Sequence, residues 1–564
     1  SISSCTPREP LGPRWASCCT SLSPMRGLLV LPCLLLPSCS ALLSPAAARP
    51  SLASFASRRS TTPQLAIRGE ASLLRLAARA PAPACVATPA ADAKQGGEGG
   101  RRMTLFDAVA LVCGTAVGGG FLAIPEVTAP LGVLPSTVGL TVAWLFLMMA
   151  GLAYVEAAGA ASGEGRGASI LALSRHAFGA KRAAFVSCFF LMQMLAASVA
   201  NLIMGAQLAC CWAMPWLPAL PFGASVWLIA CAFGAFVFCS TPGLVARTNS
   251  VLTSVCGLGF LSLFTVAAVV APPTRAVVTQ PAAWSSLLPQ PQWVAPIFLN
   301  TLRFGSAVPV VVAGLGADRL GEARTAVVLG SLVPLLLAIC SSIATASLAT
   351  TAAPGAAISV ATLLRGGPLL LRIAMGLIAV GAIGSTLIGS LLACSQLLQD
   401  IYPKIPVEVH DHPEEIGRRS RSRFGLGLLG DFSGNCKRFT TRNWRLVVSR
   451  ALVVALPAVL ACQGSSLYLP LLAFSGAFPT IVLFGLLPPL AALALRRQRN
   501  LCGVLGDDQE PECSVVPSFV PGGDAAMIAI AAVGLALLGT NTLLALGFLE
   551  SAVKTAGARL PSLP

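Results

Sequence analysis

The sequence predicts an all-α polytopic membrane protein of about eleven spanning helices, and three observations carry that prediction. The 564 residues are 55% hydrophobic and only 11% charged, where a soluble domain carries about 25% charged residues. Eleven apolar segments come near or exceed the roughly 17–25 residues that a bilayer-spanning helix needs. The Lys and Arg residues between them concentrate in alternate connections, as the positive-inside rule requires. The net charge of +16 therefore reports targeting and topology, and no nucleic-acid partner is expected. The 19 cysteines include Cys113, Cys188, Cys231, Cys256, Cys340 and Cys394, scattered through apolar segments with no CxxC pair. They read as small buried hydrophobes rather than as disulfides or metal ligands.

The first hundred residues are a different material. Met25 and Arg26 precede GLLVLPCLLL, with small residues from Ser38 to Ala41. That pattern has the n-region, h-region and cleavage site of a secretory signal, and the apolar run is too short to span a bilayer. From Ala48 to about Ala93 the chain is rich in Ser, Ala and Arg (Arg58, Arg59, Arg68, Arg75, Arg79) and poor in acid, with Glu70 among the arginines and Asp92 at its end. This is transit-peptide composition. Signal followed by transit peptide resembles the bipartite leader of algae with complex plastids, and a plain basic tail is the other reading. Residues 1–100 are thus expected to be a targeting leader, ending in the flexible junction KQGGEGG.

The spans fall near 105–128, 134–158, 184–212, 224–242, 249–271, 294–316, 325–349, 370–400, 445–462, 467–492 and 525–549. The fourth is the least distinct. With Arg101 and Arg102 inside, the inside connections hold Arg166, Arg175, Lys181 and Arg182, then Arg247, then Arg319 and Arg324. The long basic loop 402–443 and Arg496, Arg497 and Arg499 complete that set. The opposite connections hold Arg275, Arg365 and the edge residue Arg372. The membrane domain therefore occupies 101–555 with its start inside, and Arg418, Arg419, Arg421 and Arg423 of its basic loop read either as a solvated positive-inside loop or as a site that attracts anionic lipid headgroups.

Two spans are interrupted. The first reads GTAVGGGFLAIP, four glycines in seven residues (Gly114, Gly118, Gly119, Gly120) followed by Pro125. Lipid offers no partner to a backbone N–H or C=O, so irregular backbone at membrane depth is confined to places buried in protein or lining a cavity. The run has two readings: small residues in close helix packing, or a broken helix at a ligand site. The sixth span carries Arg303, Phe304, Gly305, Ser306 and Pro309. A five-span unit repeated once is inverted, because five is odd. Paired interruptions at corresponding positions of two halves then point to a binding site at the membrane midplane.

GTAVGGGFLAIP and the following TAPLGVLPST resemble the first-span signature of the hydroxy and aromatic amino acid permease family, which includes the bacterial tyrosine and tryptophan permeases. FGSAVPVVVAGLG from Phe304, LGSLVPLLLAI from Leu329 and AIGSTLIGSLLACSQLLQD ending at Asp400 resemble its sixth, seventh and eighth spans. The resemblance covers roughly 101–495. It implies a LeuT-like fold, two inverted five-helix repeats plus one extra helix, and alternating-access symport of an aromatic amino acid such as tyrosine or tryptophan with protons. The 402–443 loop is longer and more basic than in the bacterial members, and Arg303 is a departure. Plastid-type homologues share the resemblance, which agrees with the leader and implies a plastid inner envelope, with another organelle or the plasma membrane as alternatives.

A zwitterionic amino acid needs a carboxylate partner and an ammonium partner, and broken helices supply both from backbone N–H and C=O groups. The expected substrate-binding residues are Gly114, Thr115, Gly118, Gly119 and Gly120, with Arg303, Phe304, Gly305 and Ser306 across from them. Arg303 reads as a carboxylate ligand, the partner of an acid, a substitute for a coupling cation, or a snorkelling side chain. His176, His410 and His412 all lie in inside loops, so the proton-coupling candidates are Glu126 and Glu156. With no His in a span, neither an intramembrane serine protease nor a His-rich metal enzyme is expected. No GxxxxGK[ST] motif supports ATP-driven transport, and neither a metal nor a cofactor is expected. A transporter-derived amino acid sensor, a channel, and a carrier of other neutral amino acids remain as alternatives.

Overall fold

The computed structural model describes residues 103–162, 169–211, 220–270, 291–349, 368–401, 444–504 and 519–557, with Val360, Thr362 and Leu364. The leader, the 402–443 loop, His410 and His412 lie outside the described residues. The described chain is helical throughout. The first span is α1 (Leu105–Ala116), a 3-10 turn (Gly119–Ala123) and α2 (Ile124–Thr128). Spans two to five are α3 (Val133–Ser162), α5 (Ala180–Cys211), α6 (Phe222–Cys239) and α7 (Pro242–Val270), with the short α4 (Ile170–Phe178) between the second and third. The sixth is α8 (Pro291–Thr301), a 3-10 turn (Gly305–Ala307) and α9 (Val308–Leu315). Then come α10 (Leu320–Ala349), α11 (Leu369–Ile401) and α12 (Trp444–Ala461). The tenth span joins α13 (Tyr468–Ser475), a π-helical stretch (Gly476–Leu486) and α14 (Leu487–Val504), and α15 (Gly523–Gly557) is the last.

Among the described residues nine helices are long and apolar enough to cross a bilayer, and the first span, bent by 45° at its break, makes a tenth. The fourth span, the least distinct in sequence, is one of the nine. The ninth is the marginal one: its apolar stretch, Val447–Ala461, is shorter than a full crossing. Arg450 sits within it, the guanidinium carbon 5.4 Å from the centroid of the Phe238 ring.

Connections that the charge rule assigns to one side touch one another. Arg319, between the sixth and seventh spans, donates from Nη1 to the Met103 carbonyl at the start of the first, at 3.3 Å. Arg496, at the end of the tenth span, pairs with Glu156 at the end of the second and with Asp524 at the start of the last. On the opposite side Cys462 Sγ lies 3.9 Å from the Gly223 carbonyl, joining the end of the ninth span to the start of the fourth.

The packing of spans follows a shift of five. The first packs on the seventh and the sixth on the second; the fifth packs on the eighth and the tenth on the third. The seventh lies on the fifth as the second lies on the tenth, and the pairs two–seven, three–eight and four–nine map onto themselves. The bundle interior is filled by small and branched side chains, with Tyr154, Phe298 and Phe304 the bulkiest of those fully buried.

Glycine sets the closest approaches. A Cβ on Gly476 would stand 1.7 Å from the Pro296 carbonyl oxygen, a backbone atom of α8. Four residues after Ser475, Pro479 has no N–H to return to the Ser475 carbonyl, and the helix widens into its π stretch there. Gly476→Ala must push two spans apart, at a cost of about 1–3 kcal/mol. We expect a lowered midpoint of thermal unfolding in detergent for this variant. Exposed Gly389, with no atom within 4 Å of its would-be Cβ, should accept Ala with no loss, and equal behaviour of the two would refute the packing assignment.

Candidate functional site

The break of the first span begins where α1 ends. Val117 (φ −78, ψ 103) and Gly118 (φ −151, ψ −165) are extended, and any residue can adopt either conformation. The glycines are therefore required for space and not for torsion. A Cβ on Gly119 would lie 1.9 Å from Asn201 Oδ1, one on Gly118 2.7 Å from Thr386 Oγ1, and one on Gly120 3.2 Å from Thr301 Oγ1. Gly114 is different, since its Cβ would make an ordinary 3.8 Å contact with Thr253. Close packing and a broken helix, alternatives in the sequence, are both present at Gly118–Gly120.

Side chains from three other spans meet the broken backbone. The Gly119 N–H donates to Thr386 Oγ1 on α11 at 3.1 Å, and the Thr386 hydroxyl donates to the Ala382 carbonyl at 2.7 Å. Tyr468, at the start of α13, donates its hydroxyl to the Gly119 carbonyl at 3.1 Å. Thr301, the last residue of α8, lies with Oγ1 3.3 Å from the Gly120 carbonyl and 2.8 Å from the Ile297 carbonyl. Among the described residues the N–H groups of Gly118 and Gly120 carry no hydrogen bond. Thr115 turns its hydroxyl back to the Val112 carbonyl at 2.9 Å.

The sixth-span break lies beside the first. Thr301 reaches Gly120, the Gly119–Ala123 turn packs on α8, and the Gly305–Ala307 turn packs on α1. The N–H groups of Gly305 and Ser306 likewise carry no hydrogen bond among the described residues. Phe304 buries its ring against Gly151 of α3. Gly305 packs tightly on Phe484 in the π stretch, and Ser306 is exposed.

Arg303 reaches a second polar layer. Its Nη1 lies 3.0 Å from the Gln193 amide oxygen when that amide is turned to suit a neighbour that can only donate. The Gln193 nitrogen then donates to the Ser475 carbonyl at 3.1 Å and to Thr480 Oγ1 at 3.3 Å, while Ser475 Oγ donates to Asn300 Oδ1 at 2.9 Å. Among the described residues no carboxylate pairs with Arg303. Gln193, Ala197 and Asn201 stand at i, i+4 and i+8 of α5 and share one face. That face links the two layers over about 12 Å of helix rise.

The two acids are separated. Glu126 lies in the first turn of α2, partly buried, with no hydrogen bond or ion pair among the described residues. It is close enough to Tyr468 for the two to interact electrostatically. Glu156 instead accepts Arg496 in a bidentate pair, with Nη2 at 2.8 Å, and accepts the Phe519 N–H at 3.3 Å.

Sequence reading missed Asn201, Thr386, Tyr468, Gln193, Asn300, Thr301, Ser475 and Thr480. A usable signal existed for the amides: Gln193, Asn201 and Asn300 are polar groups inside apolar spans, and such groups face the bundle interior. Nothing in the sequence singles out Thr386 or Tyr468, whose roles come from tertiary contact alone.

The fold and this site define a multi-pass helical membrane protein with two interrupted spans meeting inside the bundle. A family model described as the tryptophan/tyrosine permease family matches residues 101–416, more than half of the chain. The chain belongs to that family, and it is an amino acid transporter rather than an enzyme. The match ends within the basic loop, so the ninth to eleventh spans, part of which the resemblance to about residue 495 includes, lie beyond it. No curated protein matches the chain.

If space is what Gly119 provides, Gly119→Ala should lower substrate uptake by about tenfold or more, and Asn201→Ala in the same chain should recover part of it. Uptake by Gly119→Ala at the wild-type rate would show that the Asn201 contact does not constrain the break.

Proposed function

We propose that the protein is a proton-coupled symporter of aromatic amino acids such as tyrosine or tryptophan, working by alternating access in a plastid inner envelope membrane. The observation that carries this reading is the meeting of the two helix breaks, Gly120 against Thr301 at 3.3 Å, in a chain of the tryptophan/tyrosine permease family. The five-span shift in helix packing supports two inverted repeats of LeuT type, with α15 as the extra helix. In such a fold the breaks lie near the midplane, and one repeat rocks against the other around a fixed site.

The unbonded N–H groups at Gly118 and Gly120 receive the substrate carboxylate, with those of Gly305 and Ser306 facing it across the break. The carbonyls at the end of α1, around Gly114 and Thr115, receive the ammonium group. N–H groups at the start of a helical segment favour an anion, and carbonyls at a helix end favour a cation. Arg303 contributes a fixed positive charge in the adjoining layer and pairs with the carboxylate as the substrate passes. Glu126 carries the coupling proton, because it is a partly buried carboxylate beside the break with no competing cation. Glu156 serves the inner ends of the second, tenth and last spans as the anchor of Arg496.

Counterflow of labelled tyrosine and tryptophan in proteoliposomes, with and without an inward proton gradient, tests this. Uptake of either, driven further by the gradient, is expected. Absence of any amino acid exchange refutes symport and favours a transporter-derived sensor, and flux that never saturates favours a channel. Glu126→Gln should retain counterflow and lose gradient-driven accumulation; accumulation by that variant would remove Glu126 from the coupling step.

A further inference from the structure

Gly119 is the residue of the break whose two backbone polar atoms are both taken by side chains from other spans. Thr386 accepts its N–H at 3.1 Å and Tyr468 donates to its carbonyl at 3.1 Å. The two come from α11 and α13, in the half of the chain opposite the break. Neither group is free to serve elsewhere as it stands. The Thr386 hydroxyl spends its proton on the Ala382 carbonyl, which leaves its oxygen lone pairs for Gly119. Tyr468 is buried and lies at the first position of its helix, so its ring is fixed by packing and its single O–H proton goes to Gly119.

We propose that Thr386 and Tyr468 are positioning residues that clamp Gly119 and so orient the peptide planes on either side of it. The consequence lies one residue away in each direction. With both polar atoms of Gly119 fixed, the planes that carry the Gly118 carbonyl and the Gly120 N–H cannot rotate independently, and the Gly120 N–H stays unpaired. Asn201 presses on the Gly119 Cα from a third side, since a Cβ there would lie 1.9 Å from Asn201 Oδ1. Thr301 stands against the next carbonyl, with Oγ1 3.3 Å from that of Gly120 and 2.8 Å from that of Ile297. Lipid supplies no replacement partner for a backbone group released at this depth, so loss of either clamp residue leaves a buried polar atom unsatisfied. The clamp also ties the first span to the eighth and tenth, and motion of the first span against them must break it.

This rests on the transport reading above, so the experiment has one arm that does not need transport. The full-length protein is prepared as wild type, Thr386→Val, Thr386→Ser, Tyr468→Phe and the Val/Phe double variant. Hydrogen exchange is followed by mass spectrometry on peptides covering residues 117–123. Faster exchange there in Thr386→Val and Tyr468→Phe, with Thr386→Ser protected like wild type, is expected. Unchanged exchange in both single variants overturns the clamp.

The second arm measures tryptophan and tyrosine uptake. Each single variant should raise KM by roughly fivefold, the effect of losing one hydrogen bond, while kcat changes less. The double variant should be no worse than the worse single one, because both act on one residue. Additive losses, or a lower KM in Thr386→Val, would overturn the proposal, the latter by showing that the hydroxyl competes with substrate. A wild-type protein that transports neither amino acid while its exchange pattern obeys the clamp would instead refute the transport reading.

Discussion

The constraint on which the rest of this structure depends is the satisfaction of an opened backbone inside a bilayer. A helix that stops at Ala116 and restarts at Gly119 exposes N–H and C=O groups where water is absent, and each such group costs several kcal/mol if left without a partner. The protein answers with hydroxyls from two spans, Thr386 on the eighth and Tyr468 on the tenth, while Thr301 on the sixth stands beside the Gly120 carbonyl. Those spans must pack against the break, and they can do so only because residues 118 to 120 lack side chains. The glycine run and the hydroxyls are therefore two halves of one device.

The same economy governs the second polar layer. Gln193, Asn300, Ser475 and Thr480 satisfy one another between the third, sixth and tenth spans, and Arg303 joins through Gln193. A polar network in a low-dielectric interior rigidifies the elements that share it when every member is partnered. Pro479 contributes by removing one N–H from the helical ladder where the Ser475 carbonyl meets the Gln193 amide. Ion pairing lies at the inner ends, where Arg496 gathers Glu156 and Asp524 and Arg319 pairs with Glu322. Among the described residues the carboxylate–guanidinium pairs lie at the inner ends of the spans, and the middle layer is held by hydrogen bonds among amides and hydroxyls that Arg303 joins.

Much of the architecture was legible in the chain. The eleven apolar segments each contain a helix, because spanning length and exclusion of charge are local requirements that a window of sequence reports. The alternation of Lys and Arg placed loops on sides that the Arg319–Met103 and Cys462–Gly223 contacts agree with. Span starts were less legible: the third begins at Ala180 and the seventh at Leu320, several residues before hydropathy rises, because Lys181, Arg182 and Arg324 sit in helical turns at the membrane edge. Glu156 was visible as an acid near an inner end, but its bidentate partner lies 340 residues away and has no local signature.

The sequence by itself determined that the chain crosses a membrane many times, which loops share a side, and that its first and sixth spans are broken. These follow from composition and from residues that cannot sustain an uninterrupted helix. The tertiary structure alone decided what glycine provides at 118 to 120: none of the three has a positive φ, and Thr386 and Asn201 stand where a Cβ on Gly118 or Gly119 would lie, while Thr301 crowds that of Gly120. It also decided which backbone groups are held and which are left open. That depends on where hydroxyls from distant spans arrive, and arrival in space is set by packing between helices that no stretch of sequence contains.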